Sequence, residues 1–303
     1  MKKYFLYMLL AALPLAFTAC SDDDDDNNSE AAPELPVPAN DDVAAKINFA
    51  KTPAEQSAGI DFIEFTETGK TIIKFKETSD VIEPNRLSVN LQKYLNGTYT
   101  VVKGSDYRTY TVVINGNYYA TVKIFLNGTT FNTIYMEFYN ERSFSTSAFE
   151  LINKKIEQTA TTKLCREWTV SSARLRAKGE LTYAKDFSGA ADMTAIWEYA
   201  KSKDSDFDME KPSQNKIVSG IIFTKSGTFA ILYLNDENDY GTWDWADVKN
   251  GKLAYTWMED GMGSKFEKGT ATFDVRKGQY AITLDTDVES NKNYELELTF
   301  YLK

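Results

Sequence analysis

The sequence predicts a mainly β protein of two antiparallel domains, the second an up-and-down barrel of about eight strands with one or two helices. Three observations carry that expectation. Aromatic residues make up 14% of the chain and fall mostly in short alternating runs, the pattern of half-buried strands. Turn dipeptides separate those runs, among them Asn115-Gly116, Asn127-Gly128, Asn250-Gly251 and Lys277-Gly278. With 303 residues, 43% of them apolar, the chain is long enough for two cores.

Residues 1–19 read as a signal peptide: Lys2 and Lys3 precede a short apolar stretch from Tyr4 to Phe17, and Thr18-Ala19 precede Cys20. Small residues before a cysteine resemble the lipobox of bacterial lipoproteins, although Phe17 stands where that pattern prefers Leu, Val or Ile. The resemblance implies acyl chains on Cys20; the plainer alternative is an ordinary cleaved signal and a free cysteine. Residues 20–44 then form a lipidated, acidic, Pro-containing tether. Asp22 to Asp26 repel one another, and Pro33, Pro36 and Pro38 add no packing surface. As a flexible coil this segment reaches roughly 25–30 Å. Its acidic run resembles the export signal of Bacteroidetes lipoproteins, which implies the outer membrane and cell surface; as a mere spacer it leaves the protein facing the periplasm.

The N-terminal β domain is expected over 45–142. Ile60, Phe62 and Phe65 lead through Thr68-Gly69 to a partner strand at Thr71 to Phe75. Tyr110 to Ile114 turns at Asn115-Gly116-Asn117 and returns as Tyr118 to Leu126, and Asn127-Gly128 leads into Phe131 to Tyr139. From 146 to 163 the period changes. Phe149, Ile152, Ile156 and Thr159 share one helical face, with Ser145 or Ser147 as cap.

The second domain, 146–303, continues with a strand at 164–170 and a helix at 190–201 carrying Met193, Ile196, Trp197 and Ala200. Strands follow at 217–224, 228–235, 240–246, 252–258, 266–275, 278–285 and 293–302, enough to close a small barrel. The two β domains also read as a duplication. Ile63 to Gly69 aligns with Ile221 to Gly227, Gly97-Thr98-Tyr99 with Gly241-Thr242-Trp243, and Met136 to Tyr139 with Leu298 to Tyr301.

Composition narrows the function. The formal net charge is −10, and about −12 once Lys2 and Lys3 leave with the signal peptide, so nucleic acid is not an expected partner. The chain has no histidine, which removes the usual general base and the imidazole metal ligand. Cys165 has no intramolecular partner if Cys20 is lipidated, and an inert buried thiol is expected. Asp204, Asp206, Asp208 and Glu210 alternate like Ca²⁺ ligands, but Met209 stands where the loop needs glycine, which favours a solvated loop. No cofactor or metal is expected. Trp168, Trp243, Trp245 and Trp257 are the candidate ligand-binding residues, able to stack on sugar rings or line an apolar pocket. The alternative is that they fill the barrel. With Phe223, Phe229, Tyr233, Phe273 and Phe300 also competing for the interior, a mostly filled barrel with a small cavity is expected.

Residues 146–303 are similar to the lipocalin-like domains of Bacteroidetes surface lipoproteins. The similarity rests on Leu164 to Val170, the inserted helix at 190–201, Ile222-Phe223-Thr224-Lys225-Ser226-Gly227-Thr228-Phe229, Gly241-Thr242-Trp243-Asp244-Trp245 and Gly251 to Trp257. It implies a barrel with an apolar cavity and supplies no catalytic residue. The expected function is a non-enzymatic, lipid-anchored cell-envelope protein, a ligand-binding or interaction module at the outer membrane. Its partners are then the membrane, through Cys20, and a small hydrophobic or glycan ligand. The alternative is a glycan-binding or adhesion component of a surface polysaccharide-uptake system; an extracellular hydrolase ranks third.

Overall fold

The computed structural model describes residues 34–76, 94–152, 159–207, 211–212, 216–235, 238–258, 266–287 and 292–303. The expected signal peptide, Cys20 and the acidic run lie outside the described residues, as do Asp208 and Glu210. The chain divides into two compact units. One is Val37–Ile156; the other is Glu157–Lys303 with the segment that ends at Pro36.

The first unit runs β1 (Ala45–Asn48), α1 (Ala54–Ser57), β2 (Ile60–Phe65), β3 (Lys70–Phe75), β4 (Tyr94–Lys103), β5 (Tyr107–Ile114), β6 (Asn117–Asn127), β7 (Thr130–Phe138), β8 (Ser143–Thr146) and β9 (Glu150–Ile152). Its nine strands form one antiparallel sheet in the order β8-β7-β6-β5-β4-β3-β2-β1-β9, curled into a half-barrel. Strand alternation sends Tyr110, Val112, Val122, Ile124, Ile134 and Met136 into its core, each at most 1% exposed. Asn115 (φ 51°) and Gly116 (φ 75°) make the two-residue turn between β5 and β6, the left-handed pair such a hairpin needs.

The second unit runs α2 (Thr159–Leu164), β10 (Glu167–Gly179), β11 (Tyr183–Ser188), β12 (Ala191–Asp192), α3 (Met193–Lys203), β13 (Ile217–Phe223), β14 (Thr228–Tyr233), β15 (Asp239–Asp247), β16 (Lys252–Met258), β17 (Phe266–Arg276), β18 (Gln279–Asp287) and β19 (Tyr294–Leu302). Strands β13 to β19 meander, β19 pairs with β10, and β10 pairs back to β13 at Trp168↔Ile221, closing an eight-stranded barrel. A bulge between Val170 and Ser172 lets β10 serve both neighbours. Strands β11 and β12 are appended at its flanks.

The two units share one plan. Thr66 N donates to Lys70 O, Lys70 N to Thr66 Oγ1 and Gly69 N to Thr66 O. Thr224 N, Thr228 N and Gly227 N repeat these bonds to Thr228 O, Thr224 Oγ1 and Thr224 O. The glycines of the two turns have φ of +82° and +84°, a conformation open to glycine at no steric cost. On the strand two positions along each sheet from the start of the turn, Tyr99 Oη donates to Thr66 O (2.7 Å) and Trp243 Nε1 to Thr224 O (3.1 Å). Strands β1 to β8 thus correspond in order to β10 and β13 to β19. The expected match of Met136–Tyr139 with Leu298–Tyr301 is one strand out, because β7 corresponds to β18. The closing step differs: short β8 does not reach β1, whose free side takes β9 instead.

Three expectations are corrected. Among the described residues, the helix expected over 146–163 is present as α2 alone, with 153–158 outside them. Thr146 belongs to β8, and Glu150–Ile152 pair with β1, so the helical spacing of Phe149 and Ile152 joins a linker residue to a strand residue at the sheet's end. The tether does not extend to 44. Leu35 packs against the second unit's core, Asn40 N donates to Glu67 O, and Val43 is buried with its carbonyl accepting from Tyr110 Oη. The loop acid Asp204 is fully buried rather than solvated, since it ends α3 facing inward.

Candidate functional site

The barrel interior is the place where sequence puts a ligand. At one end the tryptophans meet α2. Trp168 is fully buried, donates Nε1–H to Leu164 O (2.9 Å) and packs on Phe273 and Tyr280 at 5.9 and 5.2 Å. Trp245, half-buried, donates to Thr161 Oγ1 (2.9 Å). Trp243 stands edge-on to Trp245 at 5.6 Å and edge-on to Phe223 at 5.7 Å. All three indole N–H groups donate within the protein, and the rings plug this end of the barrel. Trp257 holds the register position opposite Gly241; its side chain lies outside the described residues.

Arg166 completes the plug. Its guanidinium donates to Lys163 O and Thr162 O, carbonyls at the end of α2, and lies 5.4 Å from the Trp168 ring. Burial pulls its pKa below the usual arginine value. Neighbouring Cys165 is fully buried, and nothing opens it to a substrate.

One layer further in lies a cavity of about 30 Å³, bounded by Ile221, Phe223, Phe229, Leu253, Ile282 and Phe300 among others. That is room for one or two water-sized spheres, and an apolar void of this kind stays dry. Neither Trp168, Trp243 nor Trp245 lines it. The five bulky rings expected inside beside the tryptophans do their work by filling: Phe223, Phe229, Tyr233, Phe273 and Phe300 are all buried.

Toward the other end α3 adds Met193, Ile196 and Ala200 to the barrel core, with Phe207 just after it. Asp192 caps the helix by accepting from Thr194 N and Ala195 N at 2.9 and 3.1 Å. At its far end the buried Asp204 carboxylate accepts from Tyr294 Oη (3.0 Å) and Asp206 N (3.1 Å), with Lys292 Nζ at 3.9 Å. Burial, then the Asp204 contact, raises the Tyr294 pKa, and burial pushes Tyr183 up to about 12. These groups pin α3 and β19 together. Among the described residues no three His, Cys, Asp or Glu side chains gather as a metal site.

Comparison with family models, curated proteins and solved structures returns no match for this chain. Function has to be read from surfaces.

One surface stands out, and sequence reading by turn and strand did not single it out. On the outer face of β4 to β7, cross-strand register builds parallel rows. Thr100, Thr111 and Thr121 form a hydroxyl row ending at Glu137. Beside it run Val102, Thr109, Lys123 and Tyr135, and then Tyr107, Phe125 and Thr133. Lys123 Nζ lies 4.2 Å from the Tyr107 ring centroid and 5.1 Å from that of Phe125. Tyr118, 45% exposed, flanks the hydroxyl row from the other side, its Oη 3.0 Å from Thr121 Oγ1. Rings at alternate positions on neighbouring strands are the signal that finds this face, once register is known.

Proposed function

We propose that the protein is a non-enzymatic, lipid-anchored module of the outer membrane that recognises its partner with its outer surface rather than inside its barrel. The observation that carries this reading is how far the described residues fill the interior. A void of about 30 Å³ is far below the roughly 300 Å³ at which ligand pockets begin. The tryptophans that sequence offers as a platform are spent on Leu164, Thr161 and Thr224. Anchoring rests on Lys2, Lys3, the apolar stretch and Thr18-Ala19-Cys20; display on the cell surface rests on Asp22 to Asp26.

Two experiments test the two halves. Cys20→Ala should abolish metabolic labelling with palmitate and release the protein from membranes; retention of an unlabelled variant defeats the anchor. For the barrel, an environment-sensitive apolar dye should bind the full chain weakly, with little quenching of tryptophan. Saturable sub-micromolar binding means a cavity that opens for cargo and removes the outer-surface reading.

A further inference from the structure

We propose that the outer face of β4 to β7 is a binding site for an uncharged polysaccharide, with Tyr107, Phe125 and Tyr135 as stacking rings and Thr100, Thr111 and Thr121 as the hydroxyl row. The proposal rests on the outer-surface reading and names the class of its ligand.

The first argument is chemical. This face belongs to a chain of net charge −10 in which 26% of residues are charged, yet its three rows hold a single cation, Lys123, and a single anion, Glu137. An acidic polymer meets an acidic protein here with almost no compensating charge, and so does a membrane of anionic lipids. A neutral polymer has no such penalty. Sugars present apolar ring faces and a rim of hydroxyls, and these rows present aromatic rings beside threonine and tyrosine hydroxyls. Tyrosine does both at low entropy cost, being apolar on its faces and polar at its tip.

The second argument is geometric. Rows running across the strands repeat every ~4.8 Å, about the width of one pyranose ring, and adjacent rows lie ~6.7 Å apart. Phe125 and Tyr107 are direct neighbours, and Tyr135 is one strand and one row further on. A linear chain lying across β4 to β7 therefore meets a ring on one edge and hydroxyls beneath it, with Tyr118 on the far side.

The third argument comes from the repeated plan. The corresponding outer rows of the second unit are Asp244, Ala254 and Thr270, then Lys252, Thr272 and Thr283, then Asp274 and Ala281. They hold no ring. The fold does not require aromatics at these positions, and exposed rings carry a solubility cost that structure alone does not justify.

The test uses the full-length lipoprotein in mild detergent, incubated with insoluble cellulose, β-1,3-glucan, starch and mannan as neutral probes. Polygalacturonate gel and phosphatidylglycerol vesicles are the anionic arms. Retention on at least one neutral probe is expected, falling about tenfold in the triple variant Tyr107→Ser, Phe125→Ser, Tyr135→Ser, a loss of ~1.4 kcal/mol. Thr111→Asp, a single exposed-face change, should weaken retention by placing a charge in the hydroxyl row, and it decides the matter if the triple variant does not fold. Retention on no neutral probe, or retention equal to wild type in both variants, overturns the proposal. Binding only to polygalacturonate or vesicles also overturns it while leaving the outer-surface reading in place; tight dye binding inside the barrel removes that reading itself.

Discussion

Replacing Trp168 by Phe keeps a ring against Phe273 and Tyr280 but deletes the N–H that satisfies Leu164 O. A loss of about 1 kcal/mol is expected from the hydrogen bond, whereas Trp168→Ala, which also opens a cavity, should cost about 3–5 kcal/mol. Urea unfolding of the two variants measures the difference. Gly241 makes a sharper case: a Cβ there falls 2.3 Å from the Phe229 ring and 2.5 Å from Thr256 O. Gly241→Ala is expected to cost about 1–3 kcal/mol by overpacking, read by the same method. The sequence marked both, Trp168 as either a ligand contact or barrel filling and Gly241 as part of a repeated segment. Tryptophan and glycine types announce that something is close; only packing tells whether the neighbour is a ligand or the protein itself.

At the scale of elements, α3 owes its start to Asp192, which accepts from two backbone N–H groups of the first turn. Asp192→Ala should destabilise the second unit by about 1 kcal/mol, and Asp192→Asn or Asp192→Ser should restore most of it, as thermal unfolding will show. The meander β13 to β19 was legible because three of its turns carry Gly after a polar residue, at Ser226-Gly227, Asn250-Gly251 and Lys277-Gly278, and most of its strands alternate. So was α3, whose Met193, Ile196 and Ala200 recur at helical spacing. The segment 146–163 was not legible. Phe149 and Ile152 are three apart, as on a helix face, but long-range pairing of 150–152 with β1 overrides that local period. The outer face of β4 to β7 escaped for a related reason: its rows exist only across strands, and sequence does not print register.

At the scale of the whole molecule, burial holds the phenols of Tyr99, Tyr110 and Tyr119 above their ordinary pKa, and burial with the Asp204 contact does so for Tyr294. In the unfolded chain these groups ionise near pH ~10. Above that value the unfolded state releases protons that the folded state keeps, so stability is full below pH ~10 and falls as pH rises through it. The urea midpoint should be lower at about pH 11 than at about pH 8. With no histidine in the chain, it should stay nearly level between about pH 6 and 8.

Closure of the barrel also sets a timetable. Val170 finds its partner in Leu302 and Gly179 in Tyr294, so the seam joins the barrel's first strand, β10, to its last, β19. No partly synthesised chain that stops short of β19 contains both halves of that seam. Until β19 has emerged, β10 and β18 each present a bare edge, the very feature that invites pairing with other chains. Such a barrel completes itself only after β19 has arrived. Deleting Tyr294–Leu302 should therefore yield a protease-sensitive, aggregating chain rather than a slightly weakened one.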